Sequence, residues 1–404
     1  MNDVNDEKGP TMPDYRLFDA DNHYYEAEDA FTRYLERDMA KRAVQWAVVD
    51  GKKKLLVGGK VCNFIPNPTF DPIAKPGTLQ EFFKGKAKGG VKEMFGDLEP
   101  IRPEYRDRDA RLKVMDEQGI EAVWLFPTLG VGIEEALVHD VGAAMASFTS
   151  FNRWLEDDWG YAYQERIFAA PYLCLMDLDK AVAELDRVLD AGARVICLRP
   201  AAVRTPGGTN SPFVEDYDAF WGRVNESGVT VTFHGGDSGY ARFVKEWEPN
   251  AQYRAFFATP LERLLTGSRP ITDTMGALLC HRLLERHPNM RIASIENGAG
   301  WARSLVRKVD LAAAQTPGWF KERPSEVFRR HVWVSPFWEE NPVRAVEHLT
   351  PERTLFGSDW PHTEGIAEPR SYLDSLAALP EDDVRKIMRD NALQLTTPAL
   401  QPVG

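Results

Sequence analysis

Asp21 and His23 stand two positions apart in the stretch LFDADNHYYE, residues 17–26. On an extended chain that spacing turns a carboxylate and an imidazole to the same side, where the two could grip a divalent cation. They could equally fill a polar turn after a buried strand. Three more residues of ligand type each follow a short apolar run: His234 in TFHGGDSG, Glu296 in SIENGAGW and Asp359 in LFGSDWPH. Two imidazoles with carboxylates make a mixed nitrogen and oxygen site suited to one Zn²⁺ or Mn²⁺ ion. Each residue also has a plainer role: His234 as a core histidine bonded to backbone, Asp359 as a helix cap, and Glu296 as the partner of Arg303 or Arg307. His362 follows the last motif closely enough to stand behind the ligands, and Glu26 either supports the site or opens a helix. The remaining histidines, at 139, 281, 287, 331 and 348, fall on helical patterns, loops or the far end of a strand.

Positioning these residues requires strands whose ends meet. Candidate strands are 16–20, 121–126, 168–175, 194–198, 229–234, 291–296, 331–335 and 354–358. They are short, nearly continuous apolar runs, as in a parallel sheet buried on both faces. Helical patterns separate them; residues 177–192 carry apolar positions at 178, 181, 182, 185, 188 and 189 and close on Gly192. Residues 217–228 end in the same way on Gly228. Eight strands alternating with helices predict an α/β fold, a (β/α)8 TIM barrel, whose polar strand ends converge on one pocket. An open doubly wound sheet competes, but no G-x-G-x-x-G turn follows any strand.

Roughly a hundred residues separate the first two strands, far more than a usual βα connection. Residues 33–110 read as an insertion in the first βα loop that either covers the site or forms a subunit contact. Within it, 43–61 alternates about Asp50-Gly51, a hairpin signal. Residues 82–96 are rich in Gly and Lys and are expected to be mobile, as is a disordered tail over 1–14. The whole of 1–404 is expected to form one domain.

The 404 residues are 43% apolar and 27% charged, with a net charge of -12. That balance supplies a large core and no basic face for nucleic acid. Four cysteines at 62, 174, 197 and 280 form no C-x-x-C pair. The N-terminus lacks the apolar core of a signal peptide, and no run approaches the ~20 apolar residues of a membrane span. A cytoplasmic protein with a small-molecule substrate, and neither nucleic acid nor membrane as partner, is expected.

The motifs DADNH, FHGG, ERHPNMRIASIENGAGW and LFGSDWPH together resemble the amidohydrolase superfamily. Within it they are similar to the group of aminocarboxymuconate-semialdehyde, γ-resorcylate and 5-carboxyvanillate decarboxylases, over about 16–395. The resemblance implies a barrel holding one catalytic metal, with Asp21 and His23 at the usual His-x-His positions, His234 as the strand-five ligand and Asp359 on or beside the ion. In the related aromatic decarboxylases a carboxylate also takes the first position. Arg199, in CLRP, stands where some relatives carry a bridging lysine, so a single ion is expected. Glu296 replaces a histidine of the family's HGG motif, and a glutamate there would repel a carboxylate substrate.

The expected activity is that of a hydrolase acting through a metal-activated water on a small cyclic or aromatic substrate. Asp359 would move the proton and Glu296 would serve as a second acid or base. Asn297, Trp301, Trp360 and His362 would line the pocket, though Trp301 fits core packing equally well, and Arg199 would bind an acidic group. The alternative is a non-oxidative decarboxylase of an aromatic or unsaturated acid using the same metal. By resemblance a homodimer is expected, with the insertion at its contact or folded over its own pocket.

Overall fold

A computed structural model describes residues 13–84, 95–96, 98–250 and 258–397. Seven parallel strands carry the barrel: β1 (Leu17–Tyr24), β2 (Ile120–Pro127), β3 (Ile167–Ala169), β4 (Val195–Leu198), β5 (Thr230–His234), β6 (Arg291–Ile295) and β7 (Val332–Val334). Ladders join β1 to β2 and β2 to β3, and run in order from β4 through β5 and β6 to β7. Single parallel bridges complete the ring. Tyr172 meets Cys197 between the third and fourth positions, Val334 meets Thr354, and Asn22 meets Trp360. The eighth stave is therefore the segment 354–360, and the chain folds as an α/β TIM barrel. The interior and the helix-facing layer are apolar, with Trp124, Trp154, Trp159 and Trp221 fully buried.

Helices fall where their caps allow. Asp107 and Asp177 accept backbone N–H bonds at the starts of Arg108–Gln118 and Leu178–Asp190. Gly119 and Gly228 take left-handed φ values of 67° and 66°, ending Arg108–Gln118 and Asp218–Ser227 just before strands.

Three strands depart from the sequence reading. β1 runs on to Tyr24, so Asp21 and His23 belong to the strand and not to a turn beyond it. β3 is shorter than 168–175 because Pro171 has no N–H to donate; Leu173 resumes the bonding, to Cys197. Segment 354–360 forms no continuous ladder because some of its backbone donors turn elsewhere: Phe356 N donates to the Ile387 carbonyl at 3.1 Å and Ser358 N to the Asp19 carboxylate at 2.9 Å, while Asp359 N still meets the Asp21 carbonyl of β1 at 2.8 Å.

Asp19 is fully buried and accepts four bonds: from Asp21 N and Ser358 N at one oxygen, and from Asn22 Nδ2 and Ser358 Oγ at the other. Here β1 carries one residue more than β2, since Asp19 pairs with Val123 but Asn22 with Leu125. The bulge turns Asn22 away from the barrel interior toward Asp19 and Arg111, and Asp21 and His23 toward its mouth.

The connection from β1 to the helix Arg108–Gln118 contains the expected hairpin, Val44–Val49 against Lys52–Val57. Asp50 and Gly51 have φ of 51° and 70°, the backbone that a tight hairpin turn demands. Ile73–Ala74 pairs with Leu98–Glu99 further along the same connection. Most of 82–96 and nearly all of the tail over 1–14 lie outside the described residues. No helix among the described residues is long and apolar enough to cross a membrane.

Replacing Asp19 by Asn keeps its volume but sets an amide N–H₂ against donors. The expected cost is about 3 kcal/mol. A thermal melt should show the midpoint lowered by about 3–4 °C.

Candidate metal centre

Four strand ends deliver the cluster. Asp21 and His23 come from the bulged end of β1 and His234 is the last residue of β5. Glu296 follows β6 with φ of 53°, and Asp359 ends the eighth stave with φ of 56°. Left-handed backbone at a non-glycine residue stores strain, and here it bends two strand ends inward over the barrel. Gly235 lets the β5 end approach β6: a Cβ there would lie 2.4 Å from the Glu296 carbonyl oxygen.

The ligand-type atoms crowd together. His23 Nε2 lies 3.3 Å from Asp21 Oδ1, 3.4 Å from Asp359 Oδ1 and 3.7 Å from Glu296 Oε2. His234 Nε2 lies 3.5 Å from Asp21 Oδ1 and 3.3 Å from Glu296 Oε2. His234 Nδ1 is 2.8 Å from the Gly235 carbonyl, which fixes the proton there and leaves the Nε2 lone pair facing the cluster. Asp21 Oδ1, His23 Nε2, His234 Nε2 and Asp359 Oδ1 are all buried without a hydrogen-bond partner. The first three, with a Glu296 oxygen, all lie within 4.8 Å of one another and fit one divalent cation; a purely structural role would leave those three partnerless atoms unsatisfied.

The charges agree. Burial, then the neighbouring Asp359, pushes Glu296 up to about 8, although 27% of its side chain stays open to the cavity. Burial, then Glu364 and Asp21, raises Asp359 well above the carboxylate range. Burial opposes ionisation of Asp21, yet contacts with His23 and His234 outweigh it and hold the group low. Burial, then His362, lowers His23. Carboxyl groups so close repel one another, and a cation among them removes that repulsion.

Behind the cluster stand residues that orient it. His362 stacks on His23 with ring centroids 3.9 Å apart, and its Nδ1 lies 2.6 Å from Asp359 Oδ1. Thr128 Oγ1 donates to the Tyr24 carbonyl at 2.7 Å and so receives the Nε2–H of His362 at 2.8 Å. That assigns the His362 tautomer, with its N–H on Nε2 and its Nδ1 turned toward Asp359 Oδ1. Arg111, fully buried between the rings of Trp159 and Trp360, donates to Asn22 Oδ1 and to the His23 carbonyl. Burial lowers it to about 9, so it remains a cation at neutral pH.

The structure therefore brings together Asp21, His23, His234, Glu296, Asp359 and His362. It sets the others apart. Arg199 is held by Glu135 at 2.8 Å and Glu134 at 3.3 Å, and lines a separate cavity of about 20 Å³. Asn297 donates to the Phe233 and Ile295 carbonyls, a brace between β5 and β6. Trp301 is buried against Phe328 and bonds the Gly298 carbonyl, and Trp360 lies under Arg111. None of these four lines the large cavity above the cluster, which measures about 480 Å³. Glu26 is buried, with one oxygen accepting from Leu129 N and Gly130 N, so it braces the β2 loop. Thr128 and Glu364, which do line the large cavity, escape a reading of the sequence; a polar residue directly after β2, in FPTLG, is the available signal for Thr128.

A family model described as amidohydrolase matches residues 89–395. The structure of an amidohydrolase from Mycobacterium avium subsp. paratuberculosis is 41% identical, covering 96% of this chain and 100% of that one, with a TM-score of 0.91. At fold level the chain is similar to a dihydroxybenzoic acid decarboxylase from Polaromonas sp. JS666, solved with bound manganese: 20% identity, 81% of this chain and 96% of that one, TM-score 0.58. It is likewise similar to 5-carboxyvanillate decarboxylase from Sphingomonas paucimobilis: 17% identity, 94% and 98% coverage, TM-score 0.57. No curated protein matches.

Titrating chelator-treated protein with Mn²⁺ or Zn²⁺ by calorimetry should show one ion per chain. His234→Ala and Asp21→Asn should each weaken that binding by about 100-fold or more, while Arg199→Ala should leave it within about twofold.

Proposed function

Because this chain belongs to the amidohydrolase family, we propose that it is a mononuclear metal-dependent hydrolase of a small cyclic or aromatic substrate. The observation that carries the reading is the set of buried, partnerless donor atoms on Asp21, His23 and His234, clustered with Glu296, with His23 and Glu296 lining a large cavity. Asp21, His23 and His234 would hold the ion, with Asp359 on or beside it. When bound, the ion supplies Lewis acidity that brings the pKa of a water molecule toward about 7.

The chain's own groups then handle the protons. Asp359 takes a proton from the attacking water and delivers it to the leaving group, with His362 at 2.6 Å as its exchange partner. Thr128 keeps the His362 ring in place for that exchange. Glu296, raised to about 8, holds a proton at neutral pH and can donate to the substrate's developing oxyanion.

Non-oxidative decarboxylation is the second reading. Asp21 favours it, being a carboxylate where the usual motif has histidine. Against it stands Glu296, 3.3 Å from His234 Nε2, where a substrate carboxylate would have to approach.

Chelation should abolish turnover of neutral lactones, esters or amides, and added Mn²⁺ or Zn²⁺ should restore it. Asp359→Asn, reloaded with metal, should lower kcat by roughly 100-fold or more. CO₂ release from hydroxybenzoates without hydrolysis of the neutral panel would falsify the hydrolase reading. Should Glu296→His raise that release, the Glu296 carboxyl group beside His234 is what keeps a substrate carboxylate out.

A further inference from the structure

The cavity above the cluster has an apolar wall formed by Phe64, Ile65, Phe70, Ile73, Phe95 and Leu98. All six come from the connection between β1 and the helix Arg108–Gln118. Just beyond Ala74, which also lines the cavity, the same connection meets the loop that carries Asp359 and His362.

That loop is closed on itself. Ile366 N donates to the Ser358 carbonyl at 2.8 Å and His362 N to the Asp359 carbonyl at 2.9 Å. A Cβ on Gly365 would lie 2.3 Å from the Asp359 carbonyl oxygen, so backbone alone fills the turn. A loop this short, packed on its own atoms with its ends joined, shifts as one body. Its side chains reach inward: Asp359 Oδ1 lies 3.4 Å from His23 Nε2, and the His362 ring stacks on His23.

Its carbonyls turn outward, and residues 77–80 take them up. Gly77 N donates to the His362 carbonyl at 3.3 Å, Leu79 N to the Thr363 carbonyl at 2.8 Å and Gln80 Nε2 to the Gly365 carbonyl at 3.1 Å. Leu79 is buried at this joint. Gly77 has φ of 75°, and a Cβ there would sit 2.9 Å from that of Ala367, so glycine is what lets the two segments meet.

We propose that residues 77–80 are positioning residues for the metal centre, acting through loop 358–366 on Asp359 and His362. A group held beside the ion restricts the loop, and a restricted loop presents its three carbonyls in register to the segment. Ordering shared by two events makes each easier after the other. The coupling is equal in both directions: loading the centre fixes the segment, and a docked segment raises the affinity for the ion. Two of the three bonds come from backbone N–H groups, so the joint tolerates changes in the wall's side chains. The inference rests on the metal centre and not on the reaction performed there.

Hydrogen–deuterium exchange on chelator-treated full-length protein, with and without saturating Mn²⁺, reads the coupling. Mn²⁺ should slow exchange across 76–80 by about fivefold or more and leave the hairpin at 44–57 unchanged. Gly77→Ala should speed exchange across 76–80 and weaken Mn²⁺ binding in calorimetry by about fivefold or more. Adding Ala367→Gly, which clears the contact, should restore most of that affinity. Gln80→Ala removes one donor with the backbone intact, and should weaken binding by about twofold or more. Should Gly77→Ala fail to fold, Gln80→Ala carries the comparison. Mn²⁺ that slows 359–366 but not 76–80 overturns the proposal, as does equal slowing of the hairpin, which marks general stabilisation. A variant that speeds exchange across 76–80 and keeps its full Mn²⁺ affinity overturns it too. No Mn²⁺ binding by the unmodified protein overturns the metal centre and this coupling together, whereas failure of the hydrolase reading alters neither measurement.

Discussion

Asp19 is the constraint from which the site descends. A buried carboxylate needs hydrogen-bond donors, and the four it finds belong to both sides of the barrel's closing seam. Meeting that demand bulges β1, commits the Ser358 N–H and leaves segment 354–360 joined to β1 by separate backbone bonds at Phe356, Asp359 and Trp360 in place of a regular ladder. Asp21 and Asp359 are neighbours for this reason: the group that closes the seam also sets their separation. Arg111 extends the same logic outward, tying Asn22 and the His23 backbone to a cage of tryptophan rings.

Strain and charge crowding accompany that closure. Glu296 and Asp359 both sit in the left-handed region, and each carboxyl is pushed toward its protonated form by burial and by its neighbours. A protein holds groups in such an arrangement only where the surrounding structure over-determines them. Here the surroundings are the ladders β4 to β7 on one side and the Asp19 seam on the other.

The strands with continuous apolar runs were legible in the sequence, because burial on both faces leaves a pattern independent of partners. His23, His234 and Asp359 could be placed from their positions directly after such runs. Less legible was whatever depends on a distant partner. Arg199 looked like a free cation at a strand end, since nothing in CLRP announces that Glu134 and Glu135, some sixty residues earlier, neutralise it. Asn297 and Trp301 follow β6 as pocket residues would, but their polar atoms turn back to nearby carbonyls. The short β3 and the irregular eighth stave reflect a proline and a side-chain acceptor, neither of which alters apolar periodicity. The hairpin at Asp50-Gly51 was readable because its turn is chemically local; that the downstream stretch walls the cavity was one of the two roles open to an insertion after the first strand.

The cavity's two halves answer to different parts of the chain. Reactive groups ride on barrel strands locked by ladders and by Asp19, whereas the apolar wall comes from one surface connection between β1 and β2. Mutations can therefore reshape what the wall admits without moving a ligand atom, so selectivity and chemistry can drift at separate rates. In a barrel of this design, new specificities arise by rewriting a single loop, and the reaction is inherited intact.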